Sequence, residues 1–164
     1  MANHQRVNDN LTIENARLLF RNFSGRESKY NRAGQRNFCV YIDDSEYAQK
    51  LIDDGWNVRI RPSRDDGDEA RYYMQVSVSF DNIPPTVYMI TKHKKTRLDE
   101  DSIDALDFAE IRSADLTIRP YNWVIQEGTR NEKSGVKAYL RSLYVVLDED
   151  ELAEKYSSDE YPQG

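Results

Sequence analysis

The chain has 164 residues, with 23 Lys and Arg against 29 Asp and Glu, for a formal net charge of −6. Taken whole, that balance argues against a nucleic-acid binder, which as a rule presents a basic domain. No run approaches the roughly 18 apolar residues of a bilayer span, and a single cysteine rules out an internal disulfide.

The average conceals a division. From Asp148 to Gly164 the acids Asp148, Glu149, Asp150, Glu151, Glu154, Asp159 and Glu160 face Lys155 alone, so this segment carries the whole −6 and residues 1–147 hold 22 bases and 22 acids. Eighteen aromatic residues, 11 of them Tyr, are more than a disordered chain carries, so a folded body of one domain is expected. The polar start lacks the apolar stretch of a signal peptide, and the lone Cys39 points to a reducing, intracellular setting.

In chain order, residues 1–10 read as a flexible start and Leu11 to Phe23 as a strand, followed by a Gly-containing loop and a second strand over Asn37 to Ile42. Asp43 or Asp44 caps a helix running to about Asp54, with Ala48, Leu51 and Ile52 on one face and Gly55 ending it. Trp56, Val58 and Ile60 then alternate with polar residues, and Asp65 to Asp68 form a turn. Tyr72, Met74, Val76, Val78 and Phe80 alternate with Tyr73, Gln75, Ser77 and Ser79, which is the clearest strand of the chain. Asn82 to Pro85 read as a turn and Thr86 to Thr91 as a strand. A short helix near Asp101 would place Ile103, Leu106 and Phe108 on one side. The last two strands contain Leu116 and Ile118, then Val136 to Leu147, joined by a loop from Gly128 to Gly135. Many short strands, few helices and a C-terminal hairpin predict a mainly β barrel or sandwich.

Binding chemistry concentrates in three places. Between Arg17 and Arg36 six bases face Glu27 alone, with Phe23 and Tyr30 interleaved; cations neutralise phosphates while rings stack on bases, which suits single-stranded nucleic acid. Phe20 and Phe38, in strand patterns, are expected in the core. Lys92, His93, Lys94, Lys95 and Arg97 form a second cluster, and runs of this kind are more often solvated loops than sites. The third set is the outward strand faces, which read Arg59, Arg61, Arg71, Tyr73, Lys137, Tyr139 and Arg141; for any one residue, ordinary solvent-facing polarity is as good an account.

Catalytic signals are weak. His4 and His93 lie far apart, Cys39 alternates within a strand as a small buried or half-buried residue, and no phosphate-binding glycine loop is present. Carboxylates at Asp43/Asp44, Asp65 to Glu69 and Asp99 to Asp101 could in principle serve a nuclease, but turns and helix starts account for them locally.

Two segments carry a resemblance. Leu11 to Val40, together with Ser113 to Tyr156, is similar to the single-stranded DNA-binding proteins of tailed bacteriophages and prophages. The carrying residues are Ile118, Arg119, Pro120, Tyr121 and Trp123, then Gly135, Val136, Ala138, Leu140 and Val146, with an acidic tail behind them. The resemblance implies a five-stranded Greek-key barrel of the OB fold, here with extra strands and one or two short helices, occupying residues 11–147 ahead of the acidic tail, 148–164. It also implies a non-enzymatic protein, without cofactor or metal, that coats single-stranded DNA during phage replication or recombination in the host cytoplasm. Contacts are expected from Arg21, Phe23, Lys29, Tyr30, Arg32, Arg36, Arg59, Arg61, Tyr73, Lys92, Lys94, Lys95, Tyr121, Trp123, Lys137, Tyr139 and Arg141. The tail would serve phage or host replication and recombination proteins, and a homodimer is compatible with the sequence. Two features depart from the pattern: the best helix follows the second strand rather than the third, and the chain ends without a terminal aromatic. The alternatives are a protein-interaction module whose acidic tail mimics nucleic acid, and a metal-dependent nuclease.

Overall fold

Alternation becomes nine strands in a computed structural model of the chain, which describes residues 6–29, 31–62, 70–81 and 83–149. The strands are β1 (Leu11–Ile13), β2 (Leu18–Asn22), β3 (Arg36–Ile42), β4 (Val58–Arg61), β5 (Arg71–Val78), β6 (Thr86–Ile90), β7 (Lys95–Leu98), β8 (Ile111–Ile125) and β9 (Lys133–Leu147). They form one sheet in the order β1-β8-β9-β5-β3-β2, with β4 on β5 and β6 joining β7 to β9. All pairings are antiparallel except β5 with β9 and β6 with β9. Inward positions supply one core: Phe38 and Val40 of β3, Met74 and Val76 of β5, Leu116 and Ile118 of β8, Leu140 and Leu143 of β9.

The ends of that path, β1 and β2, are neighbours in sequence, and this curls the sheet. The Ala16 N–H donates to the Ala114 carbonyl just beyond β1, while the next residue, Arg17, accepts from the Tyr41 N–H of β3. The expected first strand is therefore two half-strands that bridge β8 on one side and β3 on the other. Counting them as one gives the five-strand barrel of the OB type, β1/β2, β3, β5, β8 and β9, with the third and fifth parallel.

The helix lies where its caps place it. α1 (Ser45–Asp54) starts on Asp44, whose carboxylate accepts from the N–H groups of Glu46 and Tyr47, and ends at Gly55 with φ 110°, a left-handed conformation suited to glycine. It joins the second and third barrel strands. Between the third and fourth, where the family resemblance leads one to expect a helix, the chain instead makes the β6–β7 hairpin and a 3-10 turn over Ile103–Asp107. The barrel is thus elaborated, and the strand count stands. Ile103 and Leu106 face the core as expected, but Phe108 is 78% exposed because the turn ends before it.

Two other expectations are corrected. Phe20 is exposed and Phe23 fully buried, the reverse of their assigned places. The cause is an irregular β2–β3 register between Leu19 and Asn22, with Phe20 held at φ 51°, which reverses the two-residue alternation. Within the first ten residues, expected to be flexible, Val7 is buried, and the Asn122 side-chain amide bonds both its N–H and its carbonyl, at 2.9 and 2.7 Å. The turn at Asp65 to Asp68, Asn82, and the tail beyond Glu149 lie outside the described residues. Among those described, no helix is long and apolar enough to cross a membrane.

Candidate nucleic-acid interface

Because inward and outward residues alternate, the outer wall of the barrel inherits what the core rejects. On β5 these are Tyr73, Gln75 and Ser77; on β9, Lys137 and Tyr139; on β8, Arg119, Tyr121 and Trp123. Pairing sets them in rows. Arg59 lies opposite Tyr73, Ser77 opposite Tyr139, Tyr139 opposite Arg119, Lys137 opposite Tyr121, and Gly135 opposite Trp123.

Across these rows runs an open groove of about 480 Å³, walled by Arg36 and Asn37 on one side, Asn57 and Arg59 at one end, and Trp123, Lys137 and Tyr139 on the other. Its lining carries three cationic side chains, Arg36, Arg59 and Lys137, against one acid, Asp81. The loop between β2 and β3 overhangs one end, and the β8–β9 hairpin stands at the other. Strand faces flanked by these two loops are where OB barrels take up oligonucleotides and oligosaccharides.

The aromatic wall is held in place. Lys137 Nζ lies 5.1 Å and Arg119 Cζ 4.7 Å from the Tyr139 ring centre, and Tyr121 meets the same ring edge-on at 6.1 Å. The Nε of Arg119 is buried with no hydrogen-bond partner among the described residues, and its guanidinium lies against the Tyr139 ring. Trp123 packs directly against Gly135: a Cβ built on that glycine would fall 2.7 Å from Trp123 Cζ2. Glycine at this position is therefore a seat for the indole. Behind the groove, burial pushes the Cys39 thiol up to about 11, only partly offset by Arg59, so it is protonated at neutral pH and no nucleophile.

Of the residues expected to contact DNA, Arg36, Arg59, Trp123, Lys137 and Tyr139 line the groove together, with Tyr73 and Tyr121 beside it on the same face. Arg61 lies further along β4, opposite Arg71, and Arg141 is exposed on β9. Lys29 and Arg32 are exposed in the β2–β3 loop; Tyr30 falls outside the described residues. Lys92, Lys94 and Lys95 belong to the β6–β7 hairpin and do not line the groove.

Three expected contacts have other employment, among them Arg36, which lines the groove while its Nη1 donates to the Phe23 carbonyl at 2.6 Å. Phe23 stacks on Phe38 at 5.0 Å inside the core and has no surface for a base. Arg21 Nη1 donates to the carbonyls of Leu106 and Ala109, at 2.8 and 2.7 Å, and so ties β2 to the 3-10 turn. Of the acidic segment, Asp148 pairs with Arg112 at 3.3 Å and Glu149 accepts from the Lys92 N–H at 3.0 Å. Asp150, Glu151, Glu154, Asp159 and Glu160 lie outside the described residues. Sequence reasoning gave Arg119 only as part of the family motif and not as a contact, although it lies opposite Tyr139 in register, and placed Phe108 on the apolar side of a short helix, whereas it lies exposed under the Arg26 guanidinium at 5.3 Å. Among the described residues no cluster of His, Cys, Asp or Glu has a metal-binding arrangement.

An OB-type barrel with a cationic, aromatic groove between these loops belongs to the oligonucleotide-binding class. The particular family follows from the sequence itself: the chain belongs to the phage ssDNA-binding domain family, whose model matches residues 1–162. The fold is similar to the single-stranded DNA-binding protein of bacteriophage Enc34 in complex with ssDNA, at a TM-score of 0.54 and 11% identity over 86% of this chain and 88% of that one. A C-terminal truncation of the same phage protein gives 0.51 and 12% over 86% and 87%. The single-stranded DNA-binding protein gp2.5 of bacteriophage T7 matches at 0.40 and 12% over 96% and 97%. No curated protein sequence matches the chain.

Proposed function

We propose that the chain binds single-stranded DNA in the groove between the β2–β3 loop and the β8–β9 hairpin, without catalysis, and protects exposed strands during phage replication or recombination in the host cell. The observation that carries this is the shared wall in which Trp123 and Tyr139 stand beside Lys137, Arg119 and Arg59. Rings stack on any base and cations take the backbone, so the groove suits a strand of arbitrary sequence. Duplex DNA hides its base faces, which the wall then has no means to engage.

The test is a fluorescence titration of wild type and Trp123→Ala with oligo-dT, duplex and RNA oligomers, with a labelled strand incubated in magnesium as a control for cleavage. Loss of one stack, ~1–3 kcal/mol, predicts that Trp123→Ala weakens dT binding about 5- to 150-fold. Three or four phosphate contacts predict that log K falls against log salt with a slope of about −2 to −3. Equal affinity for duplex and single strand would refute the stacking mechanism.

A further inference from the structure

Beyond the groove, β9 carries a second aromatic and cationic cluster. Its outer row continues from Lys137 and Tyr139 past Ser142 to Tyr144, while Leu143 and Val145 turn inward. β6 runs parallel beside it, with Tyr88 opposite Tyr144, and β7 brings Arg97 opposite Tyr88 and Lys95 opposite Ile90. The two tyrosine rings lie 5.6 Å apart and within 12° of parallel. Lys95 Nζ stands 4.4 Å from the Tyr88 ring centre and 5.6 Å from that of Tyr144, which is 36% exposed.

We propose that Tyr88, Tyr144 and Lys95 form a second contact for single-stranded DNA, which receives a strand as it leaves the groove along β9. This rests on the groove reading above. Continuity argues for a nucleic-acid occupant. Tyr139 and Tyr144 are five residues apart on one strand, about 16 Å at strand rise. Even at the duplex rise of about 3.4 Å per nucleotide, some five nucleotides cover that distance, and fewer cover it when extended. Groove and second contact together stay within the ~4–16 nucleotides of an OB barrel.

Charge agrees with the path. Arg141 is exposed between the two clusters, and Arg97 flanks the second. The acid opposite Tyr144 in register, Asp115, accepts from the Asn15 N–H at 2.8 Å. A solvated surface would need neither the parallel ring pair nor one ammonium placed over both.

The site is tested by fluorescence anisotropy with labelled oligo-dT of about 4 nucleotides, too few to fill the groove and reach the second contact together, and of about 20, enough for both. Tyr144→Ala is expected to weaken the long oligomer about tenfold, one base's stacking, and to leave the short one unchanged. Lys95→Gln, an exposed substitution with little consequence for folding, is expected to lower the salt slope for the long oligomer by about 0.7. Wild-type affinity for the long oligomer in both variants overturns the second contact and leaves the groove reading intact. A wild type that binds neither oligomer overturns the groove reading itself.

Discussion

Single residues set the wall that bases would meet. Trp123 depends on Gly135 having no side chain: any Cβ there enters the indole at 2.7 Å, and rigid rings do not yield as a flexible chain end does. Gly135→Ala therefore tilts Trp123 away from its seat while adding only a methyl group. The expected result is a loss of dT affinity approaching that of Trp123→Ala, within the ~1–3 kcal/mol of one stack, with the far-UV circular dichroism of the barrel retained. Wild-type binding by Gly135→Ala would show that the indole, wherever displaced, is no stacking surface.

At the scale of elements, the loop between β2 and β3 is held by a buried acid from another part of the chain. The Asp107 side chain, 1% exposed, accepts from the N–H of Phe23 at 2.5 Å and of Ser24 at 3.2 Å, with Arg26 Nε 4.0 Å away. Asp107→Ala leaves both N–H groups unpaired. Hydrogen bonds to charged groups contribute ~1.5–3 kcal/mol each, so for the two a stability loss of about 3–6 kcal/mol is expected in urea unfolding, partly restored by Asn, which keeps one acceptor oxygen. An unchanged midpoint would mean that the loop is held without this carboxylate. The same elements show what periodicity could reveal. Strand faces were legible wherever alternation was unbroken, from Tyr72 to Val78 and Val136 to Leu140, and α1 was legible through Asp44 and Gly55. The exchange of Phe20 and Phe23 was not, because a positive φ and a register shift leave no mark on composition. Nor was the second task of Arg21: its carbonyl partners lie 85 and 88 residues away, and a count of local charge cannot tell a structural guanidinium from a phosphate contact.

For the molecule as a whole, the decisive question is how a chain of net charge −6 holds an anionic polymer. With DNA in the proposed groove, sorting of charge answers part of it: three cations stand against one acid there, and the acidic excess follows Leu147 in the sequence. The root of the tail is fixed. Asp148 donates its N–H to the Glu110 carbonyl and pairs with Arg112, and Glu149 meets the Lys92 N–H of the β6–β7 hairpin. From Glu149 back to Lys137 is twelve residues, about 40 Å at strand rise. The fifteen residues after Glu149 span at most about 50–54 Å, so five acids against Lys155 are within reach of both the Tyr88–Tyr144 cluster and the groove. We propose that a tethered anion of that charge competes with DNA at an effective concentration set by the tether; salt would weaken its hold as it weakens that of DNA. Removing residues 150–164, while keeping the Asp148 and Glu149 anchors, is expected to raise oligo-dT affinity severalfold at low salt, with the gain shrinking as salt rises. Competition at the root alone would favour the long oligomer, whereas competition in the groove would favour long and short alike. Superimposable salt titrations of the full and shortened chains would remove the tail from the binding equilibrium and leave it a role in solubility or partner contact.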